Sequence, residues 1–448
     1  MCVLIPSLVS AQANITYDDV AVIVNINSPG SIVIGNYFMA ARNIPSNRLI
    51  SVEVPLSTSI LPEEFALIRA TIEDHLIGNG LVDSINYIVT TLGVPIRVDN
   101  GTCDSLSFGQ FSKCSSVDTE LALILGPHAA SIVTNGYVMN PYMGSNSHQA
   151  HATSGIYLVT RLAGPSVQDV IDLIDRSGPG LPVDPTTALM AVDINNPDTM
   201  PGVQQFWNAA AQAVIVPATN LGIDVSADYT SLFLDDLSNV VGYVSLTSGL
   251  EPFLPTFDWA PGSMAVEWYS HSALHYDTPG PYPGYNRISE WIGHGASCAI
   301  GTVGITYASP WGNTRLSFER YLDTAFHFNA AESMYASIPW LSWIYDAVGD
   351  PKTSIIWSGP MPVTEHATSA ALALFPNPSQ GEFSMRISMD RIAGINVFDG
   401  LGRTVPSTVT NAGGSVSIKL LDAPTGLYNV VVSTRSGEVL TARALVGP

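Results

Sequence analysis

The hydrophobic positions of this chain follow two rhythms, and the change between them falls near residue 372. Up to residue 358 apolar residues come in short, largely apolar runs, at 20–25, 49–54, 85–90, 156–160, 188–192, 213–216, 240–244, 264–268 and 299–303. A largely apolar run of four to six residues predicts a strand buried on both faces. Between the runs the spacing changes to three and four. Phe65, Ile68, Ile72 and Leu76 share one face of a helix predicted over 63–77. Further helices are predicted at 31–42, opened by Ser28-Pro29-Gly30, and at 166–176, 202–212, 286–295 and 315–335. Strands alternating with helices predict an α/β domain over 14–358, built on a mostly parallel, doubly wound sheet. Such sheets bind ligands beyond the carboxyl ends of their strands.

From Glu382 onward the period is two. Phe383, Met385, Ile387 and Met389 point one way, and Ser384, Arg386 and Ser388 the other. Val416, Ile418 and Leu420 repeat the alternation, as do Tyr428, Val430 and Val432. This predicts half-buried antiparallel strands. Turns are expected at Asp399-Gly400-Leu401-Gly402, Asn411-Ala412-Gly413-Gly414 and Pro424-Thr425-Gly426. The expected product is a small antiparallel β-sandwich over 372–448, joined to the α/β domain by a linker at 359–371.

The tail also carries a family resemblance. Phe375-Pro376-Asn377-Pro378, Gly381, Val397-Phe398-Asp399-Gly400-Leu401-Gly402-Arg403, Leu420 and Pro424-Thr425-Gly426-Leu427-Tyr428 resemble, in order, the type A sorting domain of the type IX secretion system. The resemblance implies recognition by that machinery through 372–448 and export across the outer membrane. Removal of the tail then leaves the protein attached to the surface or released. The alternative is an ordinary C-terminal sandwich that binds a partner.

Charge and cysteine content fit an exported cargo. The 448 residues carry a net charge of −21, with 12% charged and 46% hydrophobic residues. The tail holds six basic and five acidic residues, so the acidic excess belongs to the remainder. A surface that acidic repels phosphate backbones and argues against a nucleic-acid partner. Residues 2–10 are mostly apolar and precede Ala11-Gln12-Ala13, so 1–13 read as a signal peptide, truncated or misassigned because no positive segment precedes it. A buried first strand is the alternative. No other apolar run approaches the roughly 20 residues of a membrane span. Cys103 and Cys114 flank a Ser/Gly/Phe-rich loop that export would close as a disulfide. Cys298 lies in an apolar run and is expected to be buried.

The large domain has a second resemblance. Val24-Asn25-Ile26-Asn27-Ser28-Pro29, Arg42-Asn43-Ile44-Pro45, residues 88–97, Ser116-Val117-Asp118-Thr119-Glu120-Leu121, residues 157–162, residues 260–265 and Gly349-Asp350-Pro351 resemble a family of bacterial exported proteins of unestablished activity. The strand order and the closing Gly-Asp-Pro also resemble the gingipain-type, caspase-like peptidase fold, an analogy of fold alone. The chain departs from the exported family's pattern at Ala163, where the family has Asp, and near Pro310, where it has a preceding Glu. A carboxylate-dependent activity in relatives therefore does not transfer directly.

A caspase-like peptidase needs a His after one central strand and a Cys after the next. The runs ending near 246 and 269 supply neither. His294 and Cys298 are a weaker alternative pair. Ser270, His271, Ser272 and His275 follow a central strand, with Asp258 and Glu267 nearby in sequence, and could serve a serine hydrolase. Asp118 and Glu120 could bind a metal or orient an amine; otherwise Asp118 caps a helix and Glu120 faces water. The catalytic candidates are thus Asp118, Glu120, Ser270 and His271. His148 with His151 lacks a third metal ligand, and Asp193 to Asp198 lacks the Gly and distal Glu of a calcium loop. No metal site or cofactor motif is evident, neither a phosphate-cradling loop nor Gly-x-Ser-x-Gly. Three readings follow: exported cargo with a domain of unestablished activity, a peptidase-like hydrolase, or a non-catalytic surface binding module.

Overall fold

The computed structural model describes residues 15–99, 103, 114–129, 137–193, 201–229, 233–245, 256–268, 270–277, 287–305, 312–323, 326–358, 374–399, 405–411, 415–421, 423–434 and 439–447. The expected signal peptide, the linker, the 194–198 segment and the turns at 400–402 and 412–414 lie outside them. The chain separates into two compact units, Met1–Val363 and Thr364–Pro448.

The first unit holds a ten-stranded sheet. Its strands are β1 (Val20–Asn25), β2 (Leu49–Val52), β3 (Tyr87–Thr91), β4 (Leu158–Leu162), β5 (Leu189–Asp193), β6 (Asp224–Asp228), β7 (Ser238–Ser245), β8 (Asp258–Glu267), β9 (Cys298–Thr302) and β10 (Tyr345–Gly349). They lie in the order β6-β5-β7-β8-β9-β10-β4-β3-β1-β2. Two sets of parallel pairs flank β10, which runs antiparallel to β9 and meets β4 through Val348 and Arg161. Every residue of β1, β3, β4, β9 and β10 is buried, so both faces of the sheet are covered. Helices Pro29–Arg42, Val167–Arg176 and Arg287–Gly293 pack in one group, and Pro201–Asn220, Thr314–Leu322 and Ala330–Ser337 in another.

The helix periodicity is borne out at 63–77. Pro62–Gly78 buries Phe65, Ile68, Ile72 and Leu76. Ser28 caps Pro29–Arg42 by accepting from the Ser31 amide, with Pro29 in the first turn, where a proline lacks no needed donor. Two expectations fail. Residues 213–216, expected as a strand, lie inside helix Pro201–Asn220. A four-residue apolar run has no period of its own, and the flanking alanines favour helix. The single helix expected over 315–335 is two. His327 adopts a left-handed backbone (φ 52°), and Asn329 and Glu332 cap the second helix reciprocally. The antiparallel strand β10 was not anticipated.

The second unit is the antiparallel sandwich the alternation predicts. One sheet has the order Leu374–Phe375, Glu382–Met385, Val416–Leu420, Ser407–Asn411, and the other Ile392–Phe398, Gly426–Thr434, Val439–Val446. Phe383, Met385, Ile387, Val416, Ile418, Tyr428, Val430 and Val432 share one core, while Arg386 and Ser388 are exposed. Met389 departs from the pattern. It enters the short helical turn Met389–Arg391 and is exposed.

Candidate functional site at the strand carboxyl ends

Apolar strands that end in buried polar residues mark one end of the sheet. Asn25, Thr91, Arg161, Asp193, Ser245, Glu267 and Thr302, each at or next to the carboxyl end of its strand, are all buried. The antiparallel β10 delivers Asp346 from its start, where it pairs with Gly301 beside the end of β9. Asn25 shows what such residues do. Its amide donates to Val54 O and Gly93 O, which holds the ends of β1, β2 and β3 together.

At the centre stands Arg161. It donates to Asp118 through Nη2 (2.7 Å) and Nε (3.2 Å), and to the carbonyls of Val94 and Pro95. Asp346 Oδ2 lies 3.5 Å from its Nε. Thr90 donates to Asp118, and Tyr276 to Asp346 Oδ2 at 2.7 Å. All five residues are fully or nearly fully buried. Burial raises the Asp346 carboxyl well above the usual range, and the neighbouring Asp118 charge adds to the rise.

Glu120 is buried beside this cluster and takes the hydroxyls of Ser115 (2.5 Å) and Ser342 (2.6 Å). Neither plain alternative for the Asp118 segment holds. Ser116 caps helix Val117–Leu121, and Glu120 does not face water. The disulfide between Cys103 and Cys114 is present, and it anchors the chain next to Ser115.

Above this floor the segment 270–277 forms a half-buried rim. His271 has a left-handed backbone (φ 62°), and its amide donates to Gly304 O. Ser272 accepts from the Thr302 amide, which ties the rim to the end of β9. His275 is held below the usual imidazole range by burial first, then by the charges of His271 and Arg97. Arg97 pairs with Asp99 at 3.1 Å and donates to Ser59. Successive side chains therefore diverge. Tyr276 reaches down to Asp346, while His275 stays in the rim with His271. Asp118 and Glu120 are engaged in the floor; Ser270 and His271 belong to the rim. Sequence reading passed over Arg97, Arg161 and Asp346 as site residues. The available signal was a charged residue closing an apolar strand, as Arg161 does.

The other candidates separate. Cys298 starts β9, at the opposite end of the sheet, and burial pushes its thiol well up. His294 is exposed. Asp350, from the Gly349-Asp350-Pro351 motif, also lies at that opposite end. It accepts from the Tyr17 hydroxyl and from Arg42 at 2.7 Å. His148 pairs with Glu332, and His151 pairs with Asp83 and stacks on Tyr157. Asp193 accepts from the Leu234 amide and from the Tyr243 hydroxyl. Among the described residues, no group of three or more His, Cys, Asp or Glu could hold a metal ion.

In the second unit an open groove of about 920 Å³ is lined by Pro376, Pro378, Gly381, Leu420, Thr425 and Leu445, among others. The start of this unit is laced to its end. Asn377 Nδ2 donates to Arg443 O, the Leu445 amide donates to Asn377 Oδ1, and Ser379 exchanges backbone hydrogen bonds with Leu445 and Gly447. Residues 373–446 match the family model of the secretion system C-terminal sorting domain.

The tail is a type IX sorting domain. The protein is therefore type IX secretion cargo, exported to the cell surface or the extracellular space. The sorting domain implies recognition by the type IX machinery. No helix among the described residues is long and apolar enough to cross a membrane. No curated protein matches the chain.

Proposed function

We propose that the exported α/β domain has a caspase-like, gingipain-type architecture and works at the cell surface as a binding module, using the rim at its strand carboxyl ends. The observation that carries this reading is the sealing of the acidic floor. Asp118 and Asp346 are closed over by Arg161, Thr90 and Tyr276, and the small void beside them has no room for a water molecule. A carboxylate so enclosed cannot reach a substrate. Cys298 is buried at the far end of the sheet, which deprives the fold of a thiol nucleophile where ligands bind. In this reading Asp118 and Glu120 shape the platform, and Ser270 and His271 meet the ligand. The sorting domain is removed after export, and the mature domain is attached or released.

A hydrolase is the second reading, favoured by one observation. Ser270, His271 and a His275 imidazole held neutral by its surroundings occupy the same half-buried rim. The test is a screen of peptide and ester substrates on the full chain beside Ser270→Ala and His271→Ala. The binding reading expects no turnover from any of the three. Turnover by the native chain that disappears in either variant replaces it with the hydrolase reading.

A further inference from the structure

The floor of the site contains a mismatch between charges and hydrogen bonds. Two carboxyl groups, Asp118 and Asp346, are buried against one guanidinium, Arg161. Arg161 aims two nitrogens at Asp118, which also accepts from Thr90, so Asp118 is fully supplied as a carboxylate. Asp346 is not. Its Oδ2 accepts from Tyr276 and lies near Arg161 Nε, but its Oδ1 is buried without a hydrogen-bond donor among the described residues.

Among the described residues, the groups facing the pair supply no second cation. Tyr335 faces the pair from helix Ala330–Ser337, Tyr345 from β10 and Tyr276 from the rim. Burial raises all three phenols, so each is neutral. Glu120, on the same helix as Asp118, is turned to Ser115 and Ser342. The void lined by Asp118, Tyr335, Tyr345 and Asp346 is too small for a water to act as the missing donor. Two anions on one cation, sealed from water, carry a large desolvation cost that one proton removes. Asp118 Oδ2 and Asp346 Oδ2 lie 3.2 and 3.5 Å from the same Arg161 Nε, and both residues line one void, so that proton has neighbouring carboxyl groups to lie between.

We infer that Asp346 is a protonated carboxylic acid at neutral pH, donating through Oδ1 to an ionised Asp118, and that this shared proton removes the charge repulsion in the floor on which Tyr276 seats the 270–277 rim. The cluster then has one positive and one negative charge, and the buried Oδ1 becomes a satisfied donor. The inference stands whether the rim binds a ligand or hydrolyses one. Its consequence is regulatory. Removing the proton leaves two facing carboxylates beneath the rim, and Tyr276 is the connection that transmits their repulsion to His271 and His275. A group whose folded pKa lies above its unfolded value contributes stability that declines as pH rises from the unfolded value towards the folded one. For Asp346 that window opens above the ordinary aspartate value of about 3.9.

The test compares Asp346→Asn with Asp118→Asn in the full chain. An asparagine at 346 reproduces the protonated acid, with an amide in place of the Oδ1 hydroxyl. Its unfolding midpoint at neutral pH should stay near the native one, and the decline of the midpoint with pH should flatten. Asp118→Asn leaves Arg161 without its ionised partner and should lower the midpoint markedly. A direct readout holds even if Asp118→Asn does not fold. The native protein at neutral pH should show a carboxylic-acid carbonyl stretch in its infrared spectrum, sensitive to deuterium exchange and missing from Asp346→Asn. Equal damage from the two substitutions, or no such band in the native protein, overturns the inference.

Discussion

Tyr276 donates its hydroxyl to Asp346 Oδ2 across 2.7 Å, although the two residues are 70 positions apart in the chain. That bond connects the half-buried rim to the sealed floor. It is also the point where the two parts of the candidate site can be uncoupled.

Tyr276→Phe keeps the ring and removes the donor. Losing one buried hydrogen bond to a carboxyl group costs about 1–3 kcal/mol. Thermal unfolding should fall accordingly, and hydrogen exchange over 270–277 should quicken while the amides of β1 and β3 stay protected. Unchanged exchange in that segment contradicts the role assigned to this bond.

Arg161→Met should be among the most damaging single changes. It strands Asp118 in the interior and leaves the Val94 and Pro95 carbonyls without their donor. Breaking one side of a buried pair costs about 3–5 kcal/mol. The denaturant midpoint measures it, and a loss below about 1 kcal/mol would mean that the cluster is more hydrated than its burial implies.

The pairing of His148 with Glu332 sets a pH dependence of known sign. The hydrogen bond that His148 Nδ1 makes to the Glu332 carboxylate raises the His148 pKa, against a smaller lowering by burial. Stability from this pair is therefore full below the ordinary histidine value of about 6.5 and is lost as pH rises through the higher folded value. The His148 side chain is 62% exposed, so solvent screening keeps the contribution below about 1 kcal/mol. His148→Gln should flatten the pH profile of the unfolding midpoint in that window and leave it unchanged well above.

Cys298 should resist alkylation in the native protein. Its thiol is buried and its pKa is pushed up by that burial, whereas the thiolate is the reactive form. Mass spectrometry after treatment with iodoacetamide should find Cys298 unmodified until denaturant is added. Fast native modification would restore it as a candidate nucleophile.

Deleting residues 372–448 should abolish delivery to the cell surface or medium and leave the α/β domain inside the envelope. Fractionation followed by immunoblotting detects this, and unchanged surface delivery contradicts the assignment of the tail.

What could be read from the chain alone depended on period and length. The tail alternates over several strands, and Phe383, Met385, Ile418, Val430 and Val432 go into one core as that alternation demands. The buried strands announce themselves because β1, β3, β4 and β9 are covered on both faces. Residues 213–216 misled because four apolar residues fit a buried strand and a helix equally well. Strand β10 was missed although, like the expected strand at 264–268 with its Glu267, Tyr345-Asp346-Ala347-Val348-Gly349 carries only one charge in an otherwise apolar run.

That charge is the case that separates the two levels of information. Ser270, His271, Asp118 and Glu120 could be singled out by type and by position after predicted strands. Their division into a rim and a floor could not. By itself the sequence determined the export route, the α/β class and the sandwich, because local periodicity and short motifs encode these, and the export route in turn made the Cys103–Cys114 pairing an expectation that the fold meets. The tertiary structure alone decided that Arg161 stands between Asp118 and Asp346, and that Cys298 lies at the wrong end of the sheet. The energy of a buried charge depends on which partners the fold brings within hydrogen-bond reach, and here those partners come from strands nearly 200 residues apart in sequence.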